Sequence, residues 1–192
     1  MKIALTGGIG CGKSTALQAF RNHHFTTLSA DALGHEILSD SAAVDFVVKR
    51  FGNDCVSGGK IDRTQVAKIV FSDPEARKDL EDFIHPKIER AWREQAEEAE
   101  ACGEHCVVEI PLLFEKKLEA AFDYTLCLAC SEPVQLERLE KRGLPREQAR
   151  SRIAAQMPLE EKMTRADFCF FNDGSAEFLE KQIRFFITEF LN

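Results

Sequence analysis

The sequence predicts an α/β protein: a three-layer sandwich on a five-stranded parallel sheet, with a helical insertion and a lid. Three observations predict it. Short apolar runs alternate with helical periodicity, as in a parallel sheet with crossover helices. A glycine-rich segment, Gly7-Gly8-Ile9-Gly10-Cys11-Gly12-Lys13-Ser14, joins the first apolar run to the first helical one. The second and third strands are separated by far more chain than one crossover helix requires.

Taken in order, Lys2 to Thr6 is a short apolar strand, and a helix runs from about Lys13 to Asn22. Phe25 to Ser29 is the second strand. Cys106 to Ile110 is the third, ended by Pro111; Tyr124 to Ala129 is the fourth and Phe168 to Phe171 the fifth. From Ser175 to Leu191, residues Phe178, Leu179, Ile183, Phe186, Ile187 and Phe190 fall at helical spacing and make one apolar face. His23-His24 reads as surface, with no acidic partner nearby that would suggest a metal.

Between Asp31 and His105 the pattern is mostly helical. Ala76, Leu80, Phe83, Ile84, Ile88, Ala91 and Trp92 follow i, i+3, i+4 spacing, which places Trp92 in a core. Pro86 is expected to break or kink that run, because it lacks an N–H and crowds the preceding turn. A second departure, Leu136 to Lys162, is dense in charge: Glu137, Arg138, Lys141, Arg142, Arg146, Arg150, Arg152 and Lys162, with Gly143 and Pro145 interrupting the helical pattern. One reading is a solvated helical hairpin. The other is a lid whose arginines close over phosphates, for which the guanidinium fork is suited. The expected organisation is a core of residues 1–30 and 104–192, holding a lid at about 137–162, and a substrate-binding insertion at 31–103.

Composition narrows the function. A net charge of −7 argues against non-specific nucleic-acid binding, which needs clustered Lys and Arg. No stretch approaches the roughly 20 apolar residues of a membrane span, and the N-terminal apolar run is too short for a signal peptide. A cytoplasmic protein is expected, without nucleic-acid or membrane partners. The seven cysteines are an odd number, so reduced thiols are the expectation. Cys127 and Cys130 resemble a ligand pair, but on a strand they point to opposite faces, which argues against zinc.

The glycine-rich segment fits G-x-x-x-x-G-K-[ST], in the strand–loop–helix setting that its mechanism requires. This is a P-loop NTPase-like signature. Successive N–H groups converge on phosphate oxygens as an anion nest, and the helix start adds its positive dipole end. Gly8, Gly10, Cys11, Gly12, Lys13, Ser14 and Thr15 are therefore the candidate ATP-binding residues, with Lys13 reaching the β- and γ-phosphates and Ser14 a Mg²⁺ ligand. Asp31, just beyond the second strand, is either a base for an attacking hydroxyl or the N-cap of a helix starting at Ala32. Glu109 lies near the end of the third strand, where it could support Mg²⁺ through water. Asp31-Ala32-Leu33-Gly34 matches the D-x-x-G of GTPase switches, but it follows the wrong strand and no guanine-reading Asn-Lys-x-Asp accompanies it.

Along nearly its whole length the chain resembles the dephospho-coenzyme A kinase family. The residues that carry the resemblance begin with Leu5 to Thr15, Ala30-Asp31, Phe51-Gly52, Ile61-Asp62-Arg63, Val70-Phe71 and Ile84-His85-Pro86-Lys87-Ile88. They continue with Pro111-Leu112-Leu113-Phe114-Glu115, Arg142, Arg152-Ile153, Gln156, Ala166-Asp167 and Asn172-Asp173-Gly174. The His-Pro pair and Pro-Leu-Leu-Phe-Glu are more specific than the P-loop, which many proteins share. The resemblance implies ATP-dependent phosphorylation of the ribose 3′-hydroxyl of dephospho-coenzyme A; the P-loop chemistry adds Mg²⁺, and a monomer is expected. It implies that Asp31 is the catalytic base, that Arg63 and His85 bind substrate, that Arg142 meets the ATP phosphates, and that Asn172 borders the adenine. Read from spacing alone, His85 is a core polar group of an amphipathic helix rather than a ligand contact. The chain departs from the family pattern at Ser29, where Asp is usual, at Cys11, where Ser is usual, and at Glu109, where Asp is common. A nucleoside monophosphate, shikimate or gluconate kinase is the rival of the same fold, and a nucleotide-dependent switch the rival of another class.

Overall fold

The computed structural model describes residues 1–191. In chain order its first elements are β1 (Lys2–Gly7), α1 (Lys13–Asn22), β2 (Thr26–Ser29), α2 (Ala30–Ile37) and α3 (Ser41–Phe51). Then come β3 (Val56–Ser57), β4 (Lys60–Ile61), α4 (Arg63–Ser72), α5 (Pro74–Ala101) and β5 (Cys106–Glu109). The last are β6 (Tyr124–Ala129), α6 (Glu132–Lys141), α7 (Arg146–Ala154), α8 (Leu159–Arg165), β7 (Phe168–Phe171) and α9 (Ala176–Phe190). The chain divides into two compact units: Met1–Leu28 with the chain from Ala96 onward, and Ser29–Gln95.

The first unit is built on a five-stranded parallel sheet in the order β2-β5-β1-β6-β7. Strand β1 is central, pairing with β5 (Leu5 beside Glu109) and with β6 (Gly7 beside Leu128). It is buried on both faces, which explains why its sequence is an apolar run rather than an alternation. Period-two geometry sorts the strands' side chains. Ile3, Leu5, Val107, Leu126, Leu128 and Phe170 share a core with Leu17 and Phe20 of α1 and with Leu179, Ile183 and Phe186 of α9. Phe186 is the hub of edge-to-face contacts with Phe20, Phe168 and Phe170. The other face of β1 and β6 is covered by α8. The pairing of α1 with α9 also gives His23 an acidic partner, contrary to expectation: its Nε2 lies 2.9 Å from Glu180 Oε1. Those two residues stand 157 apart in the chain, so no local pattern announces the pair.

The second unit has its own small core, in which Val47, Cys55 and Val66 are buried among Phe46, Phe51, Ile61, Ile69 and Leu80. It contains a hairpin absent from the sequence expectation, β3 against β4, turned by Gly58 and Gly59 at φ 58° and 74°. Positive φ at both central residues is the type I′ requirement, and Gly-Gly meets it without steric cost. Pro86 does not break α5, which runs through it as one 28-residue helix. The helix survives the lost hydrogen bond because its buried face extends to both sides, through Ala76, Trp92 and Ala96. Ion pairs Arg77–Glu81, Arg93–Glu89 and Arg90–Glu94 at i, i+4 add support.

Candidate active site

The glycine-rich segment forms a loop between the end of β1 and the start of α1. Cys11 N–H donates to the Gly8 carbonyl at 3.2 Å, closing the turn. Gly12 is the N-cap of α1 at φ 94°, and a Cβ there would collide with Asn172 Nδ2. Glycine is thus required twice over, by conformation and by space. The Lys13 ammonium folds back over the loop and donates to the Gly7 and Gly8 carbonyls, each at 3.1 Å. Ser14 and Thr15, in the first turn of α1, are exposed.

Four side chains from distant parts of the chain hold this loop. Gln135 Nε2 donates to the Ile9 carbonyl at 2.7 Å, and Ile9 N–H donates to Gln156 Oε1 at 3.0 Å. Arg138 donates to the Gly10 carbonyl at 3.3 Å. Asn172, buried, donates to the Cys11 carbonyl at 2.9 Å, while its own N–H continues the sheet ladder onto Ala129. The loop's polar groups are therefore fixed before any ligand arrives, the condition for electrostatic preorganisation. Gln135, Arg138 and Asn172 were not distinguishable as braces in the sequence, where they lie more than 120 residues from the loop.

Arg142 caps the C-terminus of α6 and is exposed. Together with Gly12, Thr15, Arg138, Lys141 and Asn172 it lines a cleft of about 300 Å³ beside the loop. Three cations and a helix N-terminus face one concavity, an arrangement suited to polyphosphate. Two of the three cations, Arg138 and Lys141, appear in the sequence only as members of a charged helix.

Lys162, counted among the lid charges in the sequence, is instead fully buried. Its ammonium donates to the Pro111 carbonyl at 2.7 Å and pairs with Glu115 at 2.8 Å. The Glu115 carboxylate also accepts the Met157 N–H at 3.1 Å. A buried ammonium needs such partners to offset its lost hydration. Pro111 and Glu115, the ends of Pro-Leu-Leu-Phe-Glu, thereby anchor α8 and the turn before it. Lys162→Met is expected to destabilise the fold by about 3 kcal/mol or more, the range for breaking a buried pair, because it leaves the Glu115 carboxylate without its cation. Urea unfolding measures it, and a loss below about 1 kcal/mol would contradict the anchoring role.

In the second unit, Asp31 is exposed in the first turn of α2. It is not the N-cap: the helix begins two residues earlier than the N-cap alternative requires, at Ala30, and Ser29 takes that position. Arg63, first residue of α4, donates to the His35 carbonyl at 3.0 Å and so binds the C-terminal turn of α2. Gly34 of α2 faces Ile88 and Ile84, which flank His85 on α5. The elements bearing Asp31, Arg63 and His85 thus meet around α2, and His85 is half-buried.

For Mg²⁺ the structure offers Ser14 at the start of α1 and Glu109, buried at the end of β5. Among the described residues no group of three His, Cys, Asp or Glu could hold a metal alone. One hydroxyl and one carboxylate fit Mg²⁺, which keeps waters and takes the rest of its shell from substrate phosphates.

The dephospho-CoA kinase family profile matches residues 1–177. The dephospho-CoA kinase of Syntrophotalea carbinolica is 41% identical over 185 residues, covering 94% of this chain and 88% of that one. Among solved structures, TT1252 from Thermus thermophilus superimposes with a TM-score of 0.85 at 37% identity, covering 99% of this chain and 97% of that one. The dephospho-CoA kinase from Campylobacter jejuni gives a TM-score of 0.77 at 31% identity, covering 98% and 97%.

Proposed function

The chain belongs to the dephospho-CoA kinase family and makes coenzyme A from dephospho-coenzyme A and ATP, and we propose that it does so by direct in-line transfer of the γ-phosphoryl group to the ribose 3′-hydroxyl. The observation that carries the mechanism is the braced loop with Lys13 at its mouth. The loop from Gly8 to Thr15 holds the ATP phosphates with its amides. Lys13 leaves the Gly7 and Gly8 carbonyls for the β- and γ-phosphates, and Arg142 neutralises charge from the lid side. Asn172 sets the loop's shape at Cys11 and borders the adenine.

Asp31 accepts the proton of the acceptor hydroxyl as the bond to phosphorus forms. Its exposure supports this role, because the carboxylate is open to an incoming hydroxyl. Arg63 and His85, on the elements around α2, bind the acceptor, and residues 31–103 serve as the substrate domain. Ser14, with Glu109 through water, would hold Mg²⁺, which would supply positive charge against the negative charge of the transferring group. The enzyme works in the cytoplasm as a monomer without nucleic acid; its acidic balance and the free thiols of its seven cysteines support the setting.

Incubation with ATP and dephospho-coenzyme A is expected to yield coenzyme A, identified by mass, and ADP in equal amount. Phosphorylation of nucleoside monophosphates or shikimate instead, with dephospho-coenzyme A untouched, would overturn the assignment.

A further inference from the structure

The phosphate loop carries a second chemical feature, a pair of thiols. Cys11 Sγ and Cys130 Sγ lie 3.4 Å apart, from positions 119 apart in the chain. Both are buried and neither is in a disulfide. Cys130 follows β6 directly, and its sulfur also approaches the Gly10 carbonyl at 4.0 Å. Cys130 borders a cavity of about 370 Å³ that Gly8, Gln135 and Gln156 also line, which gives a small solute a route to the pair. The Cys130 thiol donating to the Cys11 sulfur, with help from the Lys13 charge, holds Cys11 below the usual thiol range against the opposing effect of burial. Cys130 is pushed up correspondingly by the same contact and by burial. The polarity is that of an attacking and a resolving thiol.

We propose that Cys11 and Cys130 form an oxidative modification site, at which hydrogen peroxide converts the pair into a disulfide that pulls the loop out of its phosphate-binding shape. The Cys11 thiolate attacks one peroxide oxygen, the O–O bond breaks, and the other oxygen leaves as hydroxide, which takes up the proton released on ionisation of Cys11 and becomes water, with Cys11 now a sulfenic acid. The Cys130 sulfur then attacks the Cys11 sulfur. The S–O bond breaks, and the hydroxyl leaves as a second water with the Cys130 proton. Two thiols are oxidised and one peroxide is reduced.

Forming the bond brings the sulfurs from 3.4 Å to about 2 Å. The loop has little slack to absorb this. Cys11 stands between Gly10 and Gly12, both at positive φ, and its carbonyl and that of Gly10 are tied to Asn172 and Arg138. Displacements of about 1 Å in a positioned site cost on the order of a hundredfold in rate. The effect on ATP rests on the reading of this loop as the ATP site; the disulfide itself does not.

The test treats the full-length protein with hydrogen peroxide, maps its peptides without reduction, and measures ATP binding by calorimetry. The expected result is a peptide joining Cys11 to Cys130, lighter by two hydrogens. ATP affinity should fall roughly tenfold or more and return with dithiothreitol. Cys130→Ser and Cys130→Ala should bind ATP normally when reduced and yield no joined peptide. Absence of the joined peptide at a dose that oxidises the exposed Cys102 and Cys169, or a joined protein with unchanged ATP affinity, overturns the proposal. Turnover of dephospho-coenzyme A by the reduced protein checks the functional reading separately, so the two can fail independently.

Discussion

Lys13→Ala is expected to lower kcat/KM by about a thousandfold, with most of the loss in kcat. The ammonium is the one cation built into the loop itself, and in this structure it rests on the Gly7 and Gly8 carbonyls. Moving to phosphate oxygens exchanges two neutral acceptors for charged ones, and charge-assisted hydrogen bonds are about twice as strong. The gain is greatest where negative charge develops between donor and acceptor, so the transition state benefits more than bound ATP. Losing two carbonyl contacts in a partly exposed setting should lower the melting temperature by only about 2–4 °C. Steady-state kinetics and a thermal melt on the same preparation test both parts. A variant that turns over within tenfold of the parent would remove Lys13 from the mechanism.

Asp31→Asn is expected to lower kcat by about 10²–10⁴-fold while leaving ATP affinity within twofold, since general-base catalysis carries that weight. The exchange keeps shape and removes only the proton-accepting charge. Asp31 also sits in the first turn of α2, where a negative charge favours the helix dipole by about 0.3–1 kcal/mol. That loss is too small to unfold the protein, so a large kinetic effect would report chemistry rather than stability. Calorimetric ATP binding and single-turnover product formation separate the two. Near-parental turnover would leave Asp31 as an exposed helix residue and require another base.

The two predictions differ in how their residues were found. Lys13 belongs to a contiguous motif whose function depends on backbone conformation between a strand and a helix, so eight consecutive residues were enough to place it. Asp31 was ambiguous between base and N-cap; Ser29 takes the cap, which removes that alternative and leaves the proposed base role to the kinetic test. The five strands of the parallel sheet were readable to within a residue, the central three because a parallel strand buried on both faces is an uninterrupted apolar run, whereas the short β3–β4 hairpin was not read. At Pro86 the expected break did not occur: a local rule about lost hydrogen bonds was outweighed by burial on both sides of it.

Lys162 shows where sequence reading stops. Counted by charge, it belongs with Arg150 and Arg152 on a solvated surface; in the fold it is enclosed between Pro111 and Glu115. The braces Gln135, Gln156 and Asn172, and the Cys130 that meets Cys11, share this character. The sequence by itself determined the layered α/β class, the phosphate loop and the family, since each depends on neighbours in the chain or on a pattern of spacing. Only the tertiary structure decided which distant polar side chains hold that loop, because a buried hydrogen bond or ion pair is selected by desolvation at closure of the fold, and desolvation has no signature in local sequence.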